Sequence, residues 1–178
     1  MKTFKQFLNE ANNKMLPDNL VKKFSDMIWE IQDIAAYDYS KYNEIYNNIS
    51  NNKFKPSYFN KTDEYVKEVD KLIKEYPYGT SYSPSEFQSI KTKYEQAKDN
   101  FIIDAKMFDV VKVGEKEDVA VKKLAKATEN KEIQKRFDPM SEEEIYDEIQ
   151  KFRGLVKFRG GADLYVKFEN GKVKEKNF

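Results

Sequence analysis

The chain has 178 residues, of which 39% are hydrophobic and 35% charged, and its formal net charge is +1. It contains no Cys and no His, which excludes disulfides, zinc-finger spacing, a thiol nucleophile and every mechanism that needs an imidazole base. Thirteen Phe, twelve Tyr and one Trp still supply large units of buried area, so a core is within reach of this polar chain.

The chain opens MKTFKQFLNEA. Its apolar residues Phe4, Phe7 and Leu8 are interrupted by Lys5, Gln6 and Asn9, so no continuous apolar secretory region forms. In a helix, Phe4, Phe7, Leu8 and Ala11 share one stripe. A helix of about three turns is marginal alone in water and needs a surface to dock on. Asn12, Asn13 and Pro17 then separate it from the rest of the chain. Nowhere does the chain run through the roughly 18 apolar residues of a membrane span, so no membrane partner is expected.

From Pro17 the spacing predicts a helix carrying Leu20, Phe24, Met27, Ile28, Ile31, Ile34 and Ala35, with Asp18 or Asn19 as its cap. Tyr42, Ile45, Tyr46 and Ile49 continue in the same manner until SNNKFKPS. After Thr62 a further helix presents Val66, Val69, Leu72, Ile73 and Tyr76, and YPYGTSYSP reads as a loop. Ser83-Pro84-Ser85-Glu86 is a capping box, with a Ser cap, Pro at the first helical position and Glu at the third. It opens a long helix with Phe87, Ile90, Tyr94, Ala97, Phe101 and Ile102, running to about Val111. KVGEKED interrupts the pattern, and Val119–Thr128 and Lys131–Phe137 read as shorter helices. A second capping box, Ser141 to Glu144, opens a helix with Ile145, Ile149 and Phe152. After Gly154 the apolar and polar residues alternate and Asn170-Gly171 marks a hairpin turn. The fold class is therefore mainly α, with about six to seven helices and a C-terminal antiparallel β-hairpin or small sheet over 154–176.

Two clusters carry candidate chemistry. Glu142, Glu143, Glu144, Asp147 and Glu148 offer carboxylates for a metal or for acid–base work, although a solvated helix start favoured by the macrodipole accounts for them too. From Lys151 to Phe178, eight Lys or Arg face three Asp or Glu, with Phe152, Phe158, Tyr165 and Phe168 interleaved. A basic, aromatic strand surface is how single-stranded nucleic acid is held, and Lys157, Arg159, Lys167 and Lys172 are the candidate contacts. The other reading is a two-faced sheet that buries its aromatics and solvates its lysines. FRGG loosely resembles a phosphate-cradling turn. No complete catalytic set is discernible, so no enzyme activity, cofactor or metal is expected.

The stretch AAYDYSKYNEIYNNISNNK, with VKEVDKLIKEYP after it, is similar to the helical lead-in of phage and toxin ADP-ribosyltransferases. That family continues with an Arg on a strand, a Ser-Thr-Ser segment and a Glu-x-Glu loop. Here Arg159 stands in the strand-like FRG near the end, with neither motif behind it. A degenerate ADP-ribosyltransferase-like enzyme is thus the third alternative.

MKTFKQFLNE followed by Ala11 resembles the capsid-targeting peptide of T-even-type bacteriophages. Such peptides begin Met-Lys-Thr-aromatic and end in a Leu- or Ile-x-Glu site that the prohead protease cuts. The matching residues are Met1, Lys2, Thr3, Phe4, Phe7, Leu8 and Glu10. The resemblance implies that Phe4, Phe7 and Leu8 dock on the prohead core or scaffold, and that Leu8, Glu10 and Ala11 form the cleavage site. Residues 1–10 would be removed, leaving a mature domain over 11–178. It also implies a place inside the capsid beside the packaged DNA, injection into the host cytoplasm, and a host defence protein as target. A structural or DNA-binding role in the head or neck is the second alternative.

Overall fold

The computed structural model describes residues 15–77, 79–160 and 164–177. The expected peptide residues Phe4, Phe7, Leu8, Glu10 and Ala11 lie outside the described residues. The fold is mainly helical. Six α-helices are found among the described residues: α1 (Asp18–Ala35), α2 (Tyr39–Ser50), α3 (Asn60–Glu75), α4 (Pro84–Phe108), α5 (Glu117–Thr128) and α6 (Glu142–Lys151). Three antiparallel strands come after them in the order β1 (Leu155–Lys157), β2 (Tyr165–Glu169) and β3 (Lys172–Lys176). No helix among the described residues is long and apolar enough to cross a membrane.

The described residues divide into two compact units, one within 15–41 and 56–98 and the other within 42–55 and 99–177. In the first unit α1 turns Phe24, Met27, Ile28, Ile31 and Ile34 inward, the stripe its spacing dictates. α1 packs on α3, which buries Val66, Val69, Leu72 and Ile73, and Phe59, Phe87 and Tyr94 are buried in the same unit. Each such side chain contributes about 1.5–3 kcal/mol on burial. The expected cap is corrected: Pro17 occupies the N-cap position of α1 with no side-chain cap, and Asp18 is already helical. Thr62 likewise lies inside α3, buried, with its hydroxyl donating to Glu30 Oε1 at 3.3 Å. The Ser83 box forms as read. Ser83 N donates to Glu86 Oε2 at 2.7 Å, and the hydrogen bonds from Ser83 hold the Glu86 carboxyl below its usual range.

In the second unit Ile103, Met107, Val121, Leu124, Phe137, Ile145 and the inward sheet residues Val156, Val166, Phe168 and Val173 share one core. The Lys131–Phe137 helix is corrected to a 3-10 turn at Ile133–Lys135, where Ile133 and Phe137 are buried, too short a run for α-helical spacing. Ile103 sits deeper than Ile102. Phe152 lies outside the core, 45% exposed, because α6 has ended at Lys151 and the chain has turned. The second capping box is present between Ser141 and Glu144. Asn170 and Gly171, at φ 53° and 69°, form the hairpin turn the dipeptide predicts. KVGEKED is more than an interruption. Gly114 N donates to Val173 O at 2.8 Å and Val173 N to Glu115 O at 2.9 Å, which covers the free edge of β3.

Among the described residues of this unit, the ion pair of Asp104 with Arg136 is buried. The Asp104 carboxylate is fully buried and accepts from Arg136 Nε and Tyr46 Oη. Burial pushes the Asp104 carboxyl up, and Arg136 and Tyr46 pull it back toward the charged form. Removing one partner strands the other charge. Asp104→Ala is therefore expected to lower stability by about 3–5 kcal/mol, read as a shift of the urea midpoint. A change below about 1 kcal/mol would show the pair to be dispensable.

Candidate functional site

The outward face of the C-terminal sheet gathers two of the four candidate basic residues, Lys157 and Lys167. Inward Val156, Val166 and Phe168 alternate with outward Leu155, Lys157, Tyr165 and Lys167. Register places Lys157 opposite Tyr165 and Leu155 opposite Lys167, so cations and apolar surface alternate across the strands. Lys167 also lies opposite Glu175 on β3. Tyr165 Oη donates to Glu175 Oε1 at 3.0 Å, and this bond holds the phenol above its usual pKa. The ring is pinned in place as a result. Phe152 and Arg153 border the same shallow depression. Arg153 stands at φ 52°, so the turn out of α6 brings its side chain to this edge. The surface carries three cations, one carboxylate and two aromatic rings. Chemically it suits a polyanion with flat, stackable groups.

The four predicted contacts do not form one cluster. Lys157 and Lys167 share the outward face. Lys172 sits beside the hairpin turn, opposite Glu169. Arg159 borders a different depression with Glu144, Asp147 and Glu148 of α6. There its charge helps lower the Glu144 carboxyl, after the hydrogen bonds from Ser141. Phe158 and Phe168 are core residues, leaving Tyr165 and Phe152 as the rings available outside. The FRGG turn has a structural cause: a Cβ on Gly160 would lie 2.4 Å from Arg136 O, so glycine is required for that approach. Arg153 was missed by sequence reasoning, because its position depends on how α6 ends.

The acidic start of α6 does not assemble a centre. Glu144 is committed to its capping box, and among the described residues no group of three or more Asp or Glu is placed to hold a metal ion. In the first unit, Asp63 accepts from Tyr94 Oη at 2.9 Å and from Lys98 Nζ at 2.6 and 2.7 Å, a neutralised cluster that ties α3 to α4. Trp29 of α1 is 63% exposed and borders a shallow apolar groove with Gln32, Asp33, Ala36, Ile90 and Lys93. Its place in the sequence gives it away, since it falls outside the stripe of Phe24, Ile28 and Ile31.

No family model matches the chain, and no curated protein and no solved structure matches it either.

On the sheet's inner side, Lys176 reaches the end of α4. Its ammonium donates to Val111 O at 2.6 Å and to Phe108 O, and lies 3.5 Å from the Phe108 ring centre. The cation thus satisfies Phe108 O, which the helix leaves open, and Val111 O in the turn after it. Burial nevertheless pushes the Lys176 ammonium down to about 8. Between that value and the unfolded value of about 10.4, the unfolded chain binds the proton and the folded chain does not. Stability from this group therefore rises with pH across that window. Urea unfolding at a series of pH values should show the rise in the wild type relative to Lys176→Met. Parallel profiles for the two proteins would refute it.

Proposed function

We propose that this chain is an internal head protein of a T-even-type bacteriophage, packaged through residues 1–10 and trimmed after Glu10 by the prohead protease. The ordered match of Met1, Lys2, Thr3, Phe4, Phe7, Leu8 and Glu10 supports this reading. The segment removed carries Lys2, Lys5 and Glu10, so trimming takes the formal charge from +1 to 0. What is lost is an apolar docking stripe, with almost no change in charge. By analogy with such packaged proteins, the mature chain acts on a host defence target after injection. Co-expression with the cognate prohead protease tests the proposal by intact mass. Loss of residues 1–10, abolished by Glu10→Ala, is expected. A chain that stays whole beside a processed control substrate would end this reading.

The outward sheet face favours a second reading, in which the protein binds single-stranded DNA. Lys157, Lys167 and Arg153 would meet phosphate while Tyr165 and Phe152 stack on unpaired bases. Affinity for a single-stranded oligonucleotide should then fall steeply as salt rises. Lys157→Ala and Lys167→Ala should each reduce the slope of log K against log salt by about one. A flat salt response in the wild type would exclude this contact.

A further inference from the structure

The exposed face of α1 has a match within the same chain. Val21, Ser25 and Trp29 recur at steps of four, so they lie along one side of the helix over about 12 Å. Val21 is 49% exposed and Trp29 63%, and Met15, just ahead of the helix, is 65% exposed. Large apolar residues strung along one helix side form a surface that favours a partner. The groove beside Trp29 also carries Asp33 and Asp38, with Lys93 on its wall and Lys41 near enough to act on Asp33. Partial desolvation and then the neighbouring Asp38 raise the Asp33 carboxyl, which marks a place where added positive charge is welcome.

Residues 1–14 supply that chemistry. They hold three Lys against one Glu, and the spacing of Phe4, Phe7, Leu8 and Ala11 would put them, in a helix, on one stripe about 10 Å long. Their exit point is fixed. Leu16 is buried, and the backbone at Gly79 comes so close that a Cβ there would stand 2.1 Å from Leu16 N. Leu16 is therefore held next to Met15, at the start of α1. The three residues Asn12–Lys14 span up to about 10 Å, enough to turn the stripe back onto Val21 and Trp29. Lysines beside an exposed indole and a carboxylate pair add charge complementarity, since Trp is the best ring for a cation.

We propose that residues 1–14 of this chain dock on the Val21–Trp29 side of α1, with Phe4 and Phe7 over the Trp29 groove. So short a tether holds the segment at an effective concentration of about 1 mM, so even a contact of ~1 mM affinity fills the groove about half the time. If the chain is cut after Glu10, as the packaging reading requires, that tether is lost and the Trp29 groove is bared. Only this last consequence rests on the packaging reading. Processing would then uncover a binding face as well as remove an address.

Trp29 is the only tryptophan, so its emission reports this one place. The full-length chain is compared with Phe4→Ala/Phe7→Ala and with Lys2→Glu/Lys5→Glu. Both variants should shift emission to the red and raise acrylamide quenching by up to about twofold, the ratio for a groove half filled. Identical emission and quenching in all three proteins would overturn the proposal. So would protection that grows with protein concentration, which would put a second copy on the groove. The protease assay is read separately. A chain cut after Glu10 with unchanged Trp29 emission keeps the address and removes the docking. An uncut chain whose emission responds to Phe4→Ala/Phe7→Ala does the reverse.

Discussion

A carboxylate out of reach of water must be surrounded by donors, and much of the second unit is arranged around how Asp104 meets that demand. Its oxygens take Tyr46 from α2 and Arg136 from the turn after α5. Fixing Arg136 fixes the backbone on either side of it. Arg136 O is the atom Gly160 approaches, and Asp138 N donates to Arg159 O at 3.0 Å. Those contacts hold the end of β1. The outward face carrying Lys157 thus inherits its position from a buried ion pair on α4. Such a pair adds little net stability over a well-packed apolar substitute. Its effect here is to specify one arrangement of α2, the 3-10 turn and the sheet.

A second set of constraints closes the sheet. A three-stranded sheet has two edges, and the edge of β3 would be free to pair with other chains. Gly114–Glu117 lies along it, and Lys176 ties its end to Phe108 and Val111. The bulge between Lys167 and Phe168 lets Glu175 stay outward beside Lys167 while Val173 turns inward. Together these features leave one broad sheet face open, and it is the face on which cations and rings alternate. The first unit has its own open feature in the Trp29 groove. The residues that fill that unit's core leave Trp29 with no inward position.

Period 3.6 in the apolar residues placed α1, α3 and α4, although α3 begins before Thr62 and α4 ends at Phe108 short of Val111, and both capping boxes marked true helix starts. The Asn170-Gly171 turn was equally legible, because only residues tolerant of positive φ can make it. Local chemistry was enough in each case. It failed where a neighbour decides. Ile133 and Phe137 suggested a helix, but both are anchors of a tight turn against Arg136's buried site. Phe152, Phe158, Tyr165 and Phe168 look alike in sequence, yet two are core and two face outward.

By itself the sequence determined the mainly helical class, the closing hairpin and the absence of imidazole and thiol chemistry. Each comes from spacing or composition, which act over a few residues. The tertiary structure decided which basic residues share a face. Lys157 and Lys167 are ten positions apart yet meet through antiparallel pairing, while Arg159, two residues past Lys157, turns to the acids of α6 because β1 has already ended. It also decided that Asp104 is a buried pivot, since a carboxylate in a helix reads the same in sequence whether solvent or Arg136 waits beside it.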